Sequence, residues 1–309
     1  MKVTVIRNPV AGGAGAWPQI AEALARVFPG YALVETERGR TAAQTRAAVT
    51  DATDLVLAVG GDGTVGQVVE GVLTSSFPQT PFAFLPGGTG SDFSRNFRWP
   101  DSVEQRLQAI ATATPRRIDV GLLQCRGQDG TVSASHFINI ASAGVSGEMV
   151  EAVEASRGKS RLPASLRYRL IALQRIFGYR GGSLRISVDG RSIHDGPVLV
   201  AAFCNGGWFG AGVAAAPDAM LDDGLLEVVI CRHRGLLGNL STFAAFSGAG
   251  KGDRPATVMD RGGVIEIEPT TVPALSVEAD GEVIQPGALR ITVLPKTLTV
   301  KLPQAVSSF

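Results

Sequence analysis

The segment LVLAVGGDGTVGQVVEGVL combines an apolar run, a cluster of glycines and a helical pattern. Gly60, Gly61 and Gly63 let the main chain approach an anion closely, and the start of the following helix adds the positive end of its dipole. Asp62 would be repelled by phosphate unless it holds Mg²⁺ or takes up a proton. The pattern predicts a site for phosphoryl transfer; the alternative is an Asx-type turn that caps the helix at Thr64.

Two further turns follow neighbouring apolar strands. The segment PFAFLPGGTGSDFSRNF contains a second glycine-rich turn that leads to Asp92 and Arg95. The first strand ends in a third turn, which contains Asn8, Pro9 and Gly12. Because the ends of adjacent parallel strands meet at one crevice, the three turns are predicted to hold one polyphosphate together.

Two common nucleotide motifs do not fit this pattern. Gly61, Gly63 and Gly66 satisfy GxGxxG, but an apolar run occupies the positions about 20 residues on, where a dinucleotide site requires an acid. The GKS sequence that begins at Gly158 has Val153 where a Walker A loop requires glycine. A different phosphate-binding scheme is needed.

The elements that position these turns divide the chain of 309 residues into two parts, since one domain usually has about 100 to 200 residues. Up to about residue 120, β-rich runs alternate with helical stretches, which indicates an open, mainly parallel α/β sheet. Later period-two runs predict an antiparallel β-sandwich, interrupted by one helix from Pro163 to Tyr179. We expect domains over 1–121 and 122–302, a tail over 303–309, and a ligand cleft between the domains.

Composition and charge exclude several classes of protein. The formal net charge of +1 provides no global attraction to nucleic acid, so no nucleic-acid partner is expected. Cys125, Cys204 and Cys231 form no CxxC pair, which indicates reduced, buried thiols in a cytoplasmic protein. No secretory signal and no apolar run of about 18 residues is visible, so no membrane span is expected.

Taken in order, the motifs resemble the soluble diacylglycerol kinase family, which includes bacterial lipid kinases and, more distantly, sphingosine and ceramide kinases. The resemblance covers nearly the whole chain. Its markers are NPVAGGAG from Asn8, GGDGTVGQVV from Gly60, PGGTGSDFSR from Pro86, PDAMLDDGLLEV from Pro217 and EADGE from Glu278. GGDGT alone also occurs in NAD kinases, whereas the complete series is specific.

The resemblance implies an ATP-dependent kinase that phosphorylates a lipid hydroxyl, with diacylglycerol as the default substrate. It implies that the first domain binds ATP through a set of loop residues: Asn8, Pro9, Gly12, Thr36, Gly60, Gly61, Asp62, Gly63, Thr64 and Thr89. Asp92 and Arg95 are assigned to the lipid substrate. Family members commonly have Asn before this aspartate, whereas the present chain has Ser91.

The same resemblance places Asp280 and Glu282 at the catalytic cleft. Asp62, Asp280 and Glu282 are the candidate catalytic carboxylates, and which of them acts as general base stays open. The alternative for Asp280 is a simple hairpin turn, which Asp-Gly favours. A structural Mg²⁺ is implied at Asp223 and at the backbone carbonyls of Met220 and Leu225, a set of oxygen ligands that suits this cation. The alternative there is a turn at Asp223 and the glycine that follows it.

Eight basic residues and no acidic ones lie between Arg157 and Arg185. Leu166, Leu170, Leu173 and Phe177 lie on another face of the helix predicted there, which indicates peripheral contact with an anionic membrane; the alternative is a solvated face over the sandwich. Two competing functions also stay open: a kinase of a soluble substrate such as NAD, and a catalytically silent lipid-binding protein. The sequence does not indicate the oligomeric state, and a homodimer stays open.

Overall fold

The computed structural model describes residues 1–10, 16–87, 91–127, 130–156, 164–210, 212–247, 257–271, 275–284 and 287–306. Of the residues named above, Gly12, Thr89, Arg157, Gly158 and Pro163 lie outside these ranges, as do Lys159 and Arg161 of the basic segment. All the other residues assigned to the nucleotide, the substrate, catalysis or Mg²⁺ are described.

The first part of the chain forms an open parallel sheet, which confirms the predicted α/β architecture. Its elements are β1 (Val3–Arg7), α1 (Trp17–Val27), β2 (Ala32–Glu35), α2 (Thr41–Ala48), β3 (Leu55–Gly60), α3 (Asp62–Leu73), β4 (Phe82–Pro86), a 3₁₀ turn (Phe93–Asn96) and α4 (Val103–Thr112). The strands pair in parallel in the order β4, β3, β1, β2. Every residue of β3 is buried, as expected for a parallel strand covered on both faces.

An aromatic cluster anchors the second glycine-rich turn. The ring of Phe84 in β4 lies 5.4 Å from the ring of Phe93 and 5.2 Å from the indole of Trp99. Phe97 adds edge contacts to both phenylalanine rings. Because Phe93 directly follows Asp92, burial of its ring holds that carboxylate at the end of β4.

The second part is the predicted antiparallel sandwich. Its strands are β5 (Arg116–Arg126), β6 (Val132–Phe137), β7 (Ile140–Gly144), β8 (Gly182–Val188), β9 (Arg191–Cys204), β10 (Trp208–Phe209), β11 (Val213–Ala214), β12 (Leu226–Arg232), β13 (Thr257–Gly262), β14 (Val264–Pro269), β15 (Val277–Ala279), β16 (Glu282–Ile284) and β17 (Ala288–Val300). These strands pair with one another in antiparallel fashion. All three cysteines are buried.

The expectation of one helix in this part is wrong, because its described residues contain α5 (Val145–Ser156), α6 (Ala164–Gly178) and α7 (Gly235–Ser247). Helix α5 directly follows a buried strand, and no turn signal marks where the strand ends and the helix begins. The sequence GLLGNLSTFAAFS of α7 is apolar on several sides, so it has no clear 3.6-residue period. Within the described residues, no helix has both the length and the apolar character needed to cross a bilayer.

The C-terminal strand β17 joins the two parts. It pairs antiparallel with β5 and β14, and its last residue, Val300, pairs in parallel with Phe82 of β4. Leu298, Val300 and Leu302 are buried in the core of the first part. The sequence analysis assigned these residues to the second domain, but here the chain returns to the first part. One sheet therefore continues through both parts and sets their relative placement.

Candidate active site

The turn between β3 and α3 is closely packed on one side and open on the other. A Cβ atom at Gly60 would lie 2.6 Å from the Cβ of Thr64, so only glycine fits there. A Cβ at Gly61, the N-cap of α3, would meet nothing within 4 Å. Asn8 Nδ2 donates to Thr64 Oγ1 at 3.2 Å, which brings the first turn against this one. The first turn of α3 is therefore accessible to an anion.

Asp62 connects the first glycine turn to the second. Its carboxylate accepts hydrogen bonds from the backbone N–H groups of Asp92 at 2.9 Å and Phe93 at 3.3 Å. Both oxygens thus bond the second turn, which differs from the alternative of an Asx-type cap at Thr64. Burial raises the pKa of Asp62 to about 7, with a smaller upward contribution from the charges of Asp92 and Asp280, while the two N–H groups oppose the rise.

Asp280 lies in a two-residue hairpin turn between β15 and β16, as the Asp-Gly signal predicts. Asp280 and Gly281 both have positive φ, at 47° and 83°. The carboxylate of Asp280 is only 8% exposed and accepts from three consecutive backbone N–H groups: Ile138 at 2.8 Å, Asn139 at 3.0 Å and Ile140 at 3.1 Å. Burial raises the pKa of Asp280 to about 6, against the opposing effect of these hydrogen bonds.

This hairpin packs against the start of α3. A Cβ at Gly66 would lie 3.2 Å from the Cβ of Asp280, and a Cβ at Gly63 would lie 3.5 Å from Glu282 Oε1. Gln67 Nε2 donates to the same oxygen of Glu282 at 2.8 Å. At the glycines of α3, carboxylates of the second part thus lie against the turn that the sequence predicts to bind phosphate.

The residues assigned to the substrate lie beside this junction. Asp92 is buried, and Arg95 Nε lies 3.3 Å from its Oδ1. The guanidinium of Arg95 lies next to Gly212, where an added Cβ would come within 3.2 Å of it. In the described part of the chain, the buried hydroxyls of Ser91 and Thr36 have no hydrogen-bond partner.

The loop assigned to Mg²⁺ contains the predicted turn. Asp223 Oδ1 accepts from the backbone N–H of Leu225 at 3.0 Å, and Gly224 has a φ of 76°. Sequence reasoning missed Asp119, whose carboxylate accepts from the N–H groups of Gly224 at 2.6 Å and Lys296 at 2.7 Å. Burial and then the charge of Asp223 raise the pKa of Asp119. Within the described residues, no group of three or more His, Cys, Asp or Glu side chains could hold a metal ion.

Glu278 was also missed. It is 6% exposed, and its carboxylate accepts from Ser142 Oγ and from the N–H of Gly281 at 3.0 Å. Burial raises the pKa of Glu278 to about 7, helped by the charge of Asp280. The family marker EADGE contained a usable signal, because it begins at Glu278 and includes Asp280.

Glu278→Gln should make unfolding less sensitive to pH. Because folding raises the pKa of Glu278 from 4.5 to about 7, the folded state keeps a proton that the unfolded chain loses, so the free energy of unfolding falls as pH rises through this window. Gln cannot ionise, so the melting temperature of the variant relative to wild type should rise by a few degrees between about pH 5 and about pH 8. Thermal scans measure this, with Asp51→Asn as the exposed control. A constant difference across the window would contradict the prediction.

Comparison with known proteins agrees with this arrangement. Residues 2–123 match the diacylglycerol kinase catalytic domain, and residues 139–302 match the YegS C-terminal NAD kinase beta sandwich-like domain. A Chromohalobacter salexigens protein named "Probable lipid kinase YegS-like" is 33% identical over 223 residues, which span 70% of this chain and 67% of that protein. The structure of a Bacillus anthracis diacylglycerol kinase covers 97% of this chain and 96% of its own, with a TM-score of 0.70 and 21% identity. The structural alignment with yeast NADH kinase covers 97% of this chain and 82% of that protein's chain, with a TM-score of 0.52 and 13% identity.

At these low identities the two solved structures show a shared fold. The two domain matches carry more information, because together they extend from residue 2 to residue 302 and the second spans over half of the chain. They occur in the order in which the two parts of the structure follow each other. The chain therefore belongs to the diacylglycerol kinase family and is a lipid kinase.

Proposed function

We propose that this protein transfers the γ-phosphate of ATP to a free hydroxyl of a membrane lipid, with diacylglycerol as the default acceptor. The observation that carries this proposal is the contact between the Asp280–Glu282 hairpin and the first turn of α3. Phosphoryl transfer needs a phosphate held in place and a carboxylate within reach of the attacking hydroxyl. The junction of the two parts supplies both.

The nucleotide binds along the ends of β1, β3 and β4. In this proposal the amides from Gly60 to Thr64 and the dipole of α3 hold the phosphates, because this turn is open toward solvent at Gly61. Asn8 and Pro9 form the adjacent wall, and the unpartnered hydroxyl of Thr36 is a further nucleotide contact. Gly12 and Thr89 keep the nucleotide contacts that the family resemblance implies.

Asp62 is the proposed general base. Its pKa of about 7 lies near working pH, where a carboxyl can both lose and take up a proton. Asp280 accepts three backbone N–H groups, one more than Asp62, and its proposed role is to position the hairpin. Glu282 lies over Gly63, on the side of α3 where the acceptor hydroxyl must approach, and it orients that hydroxyl.

An apolar cavity is the proposed site of the lipid chain. It lies between α5, α6, α7 and the sheet, and its walls include Met149, Ile176, Leu199, Val229 and Phe243. Its volume of about 60 Å³ equals the space of roughly two waters, so a covering helix has to move when an acyl chain enters. A soluble, charged acceptor such as NAD would gain nothing from these walls.

Mg²⁺ is proposed in two roles. In ATP-dependent kinases it bridges the phosphates and offsets their charge. A second, structural ion fits the loop of Asp223, because this carboxylate, the carbonyls of Met220 and Leu225 and the nearby Asp119 are all oxygen donors. The charges of Asp222 and Asp223 both act on Asp119, so a cation there would relieve their mutual repulsion.

Helix α6 is the proposed membrane contact, at the cytoplasmic surface of the bilayer. Leu170 and Phe177 on its outer stripe are 49% and 57% exposed, while Ala172 and Ile176 face the core. Arg169 and Arg175 are exposed on the same helix. Apolar side chains flanked by cations match the interface of an anionic bilayer.

Not all of the basic segment supports this contact. Arg185 lies on β8, beyond the helix, and pairs with Asp195 at 3.1 Å and Glu268 at 3.5 Å. Its charge is compensated locally on the sheet, so the proposed surface is α6 alone. Helix α7 also exposes two leucines, Leu236 and Leu237, but they are not part of the proposed surface.

The proposed function is tested with purified protein, γ-labelled ATP and a panel of acceptors. The panel contains diacylglycerol, a sphingoid base, ceramide, phosphatidylglycerol and NAD. We expect the labelled phosphate in one or more of the lipids and no labelled NADP, which is the product that phosphorylation of NAD would give. Label in NADP alone would favour the soluble-substrate kinase, and no transfer to any acceptor would favour a silent lipid-binding protein.

Three carboxylate variants separate the proposed roles. Asp62→Asn should abolish phosphoryl transfer and also lower the melting temperature, because its NH₂ would face the N–H of Asp92 or Phe93. Glu282→Gln should lower kcat about 10²- to 10⁴-fold without changing the melting temperature. Asp280→Asn should lower both quantities, because an amide NH₂ would face a backbone N–H in the buried site. Initial rates and thermal scans measure these effects. If all three variants keep the wild-type kcat, the base lies elsewhere.

Removal of Mg²⁺ should destabilise the wild type through the Asp223 loop. A free cation concentration about tenfold above Kd stabilises the folded state by about 1.4 kcal/mol, or about 3 to 6 °C in melting temperature. Asp223→Ala should abolish this gain, whereas Asp218→Ala, on an exposed side chain of the same loop, should keep it. A wild-type melting temperature that does not respond to EDTA would count against the structural ion.

Replacing Arg169 and Arg175 by Gln should weaken sedimentation with anionic vesicles about 30-fold, since each cation near such a surface contributes about 1 kcal/mol. Binding to neutral vesicles should change little, and salt should reduce the difference. The double variant Arg185→Gln/Arg191→Gln makes the same change in charge on the sheet and should bind like wild type. Equal loss in both double variants would show that net charge, rather than α6, determines binding.

A further inference from the structure

A second cavity, apart from the apolar one, has charged walls. It lies between β9 and the connection from β12 to α7, and its volume is about 680 Å³. Sites for small organic ligands have volumes of about 300–1,000 Å³, so there is room for a headgroup larger than a phosphate ion. The lining includes two arginines, two histidines and one acid: Arg232, Arg234, His194, His233 and Asp195.

The two arginines of this cavity carry unpaired charges. Both are exposed, and neither forms an ion pair with any residue that the structure describes. The acid of the lining does not compensate for them, because Asp195 pairs with Arg185 at 3.1 Å. Arg232 and Arg234 therefore leave the cavity with an excess of positive charge.

The backbone determines where these arginines lie. The pairing of β12 with β9 shifts by one residue just before Arg232, and such a bulge redirects the side chain that follows it. The N–H of His233 donates to the carbonyl of Pro197 at 3.1 Å. The N–H of Arg234 donates to Oδ1 of the buried Asn239 at 3.1 Å. The segment that carries both guanidinium groups is thus held in place without a ligand's help.

The ring of His194 forms a buried wall of the cavity. It is 7% exposed, and its Nε2 donates to the carbonyl of Gly196 at 3.1 Å. Burial lowers the pKa of His194, and the charge of Arg232 lowers it further, against the opposing effects of the Gly196 hydrogen bond and Asp195. The contribution of Arg232 is that of a positive potential at this wall, which favours an anion.

The charged cavity is separate from the catalytic site. Along β9, His194 lies ten positions from Cys204, which pairs with Ile140, a hydrogen-bond donor to Asp280. At about 3.3 Å per residue, this separation is about 30 Å. A molecule bound in the charged cavity therefore takes no part in phosphoryl transfer.

Apolar groups that a lipid chain could contact lie beside this cavity. Leu236 and Leu237, in the first turn of α7, are 42% and 83% exposed and closely follow Arg234. The ring of Tyr179, at the end of α6, lies 6.0 Å from the ring of His233. The charged cavity is thus adjacent to the helix that is proposed to contact the bilayer.

We propose that this cavity binds the phosphomonoester headgroup of a phosphorylated lipid, with Arg232 and Arg234 on the phosphate and Leu236 and Leu237 against the chains. Two guanidinium groups match a phosphomonoester, which carries about 1.5 to 2 negative charges near neutral pH. A phosphodiester carries one, and the ammonium of a zwitterionic lipid would be repelled. Because a lipid kinase releases a lipid phosphomonoester, the identity of the lipid rests on the function proposed above.

Calorimetry with soluble probes tests the site. The wild type should bind dihexanoyl phosphatidate more tightly than glycerol 3-phosphate or inorganic phosphate, because these two lack the chains. Arg232→Gln/Arg234→Gln should weaken phosphatidate binding about 100-fold, at about tenfold for each charge-assisted contact. The matched control is Arg126→Gln/Arg261→Gln, which removes two exposed arginines outside the cavity lining and should bind like wild type.

Both double variants leave the catalytic site unchanged. Product that binds at the catalytic site is therefore common to all the proteins, and the difference between them isolates the charged cavity. For the same reason, kcat and the KM values for ATP and lipid, measured as initial rates, should equal those of the wild type in both variants.

Vesicles separate this cavity from α6. Phosphatidate vesicles and phosphatidylglycerol vesicles are matched for surface charge, and the wild type should sediment more strongly with phosphatidate. Arg232→Gln/Arg234→Gln should lose this preference, because the cavity recognises the phosphomonoester. Arg169→Gln/Arg175→Gln should bind both kinds of vesicle more weakly and keep the preference, because α6 responds to charge alone.

The outcomes separate this proposal from the proposed function. If phosphatidate binds through Arg232 and Arg234 but the wild type transfers no phosphate, the kinase function fails and the headgroup site stands. Equal phosphatidate affinities of the wild type and Arg232→Gln/Arg234→Gln, or an equal loss in the control variant, would overturn the proposal even if the kinase is active. Inorganic phosphate bound as tightly as dihexanoyl phosphatidate would overturn the assignment to a lipid.

Discussion

The buried carboxylate of Asp280 is the interaction on which the arrangement of the site depends. A charge taken out of water is costly unless hydrogen bonds compensate for it, and here three consecutive backbone N–H groups do so. Those N–H groups belong to the bend between β6 and β7, so the position of the hairpin relative to this bend is tightly determined. The pKa of about 6 shows that burial still outweighs the hydrogen bonds.

The other parts of the site follow from that contact. With Asp280 held in place, the hairpin packs on α3 at Gly66, where a Cβ would lie 3.2 Å from the Cβ of Asp280, and Glu282 lies beside Gly63. Asp62 then connects the same helix to the second glycine turn, whose position depends on the buried ring of Phe93. The continuous sheet through β17 keeps the two parts in register, and His136 Nδ1 adds a contact to Glu70 of α3 at 2.8 Å. Carboxylates from distant parts of the sequence thereby meet at the first turn of α3.

Sequence reasoning succeeded where the signal was local. Glycines after apolar strands predicted the turns of Asp62 and Asp92, and the Asp-Gly pair predicted the hairpin of Asp280, because backbone conformation at these positions depends on the residues themselves. It failed where tertiary contacts decide. The return of β17 to the first core depends on pairing with residues more than two hundred positions away, and α7 has no clear period because several of its sides are apolar. Glu278 and Asp119 look like ordinary surface acids until the fold buries them.

In the proposed reaction, carboxylates of the second part act on a phosphate held by the first. A crystal structure with a non-hydrolysable ATP analogue tests it most directly. We expect the γ-phosphate at the first turn of α3. The attacking hydroxyl must approach in line with the bond that breaks, and an oxygen of Asp62 or Glu282 should lie within hydrogen-bond distance of that position, directly or through one water. A triphosphate bound elsewhere on the sheet, or a hairpin that has moved away from α3 in the complex, would contradict it.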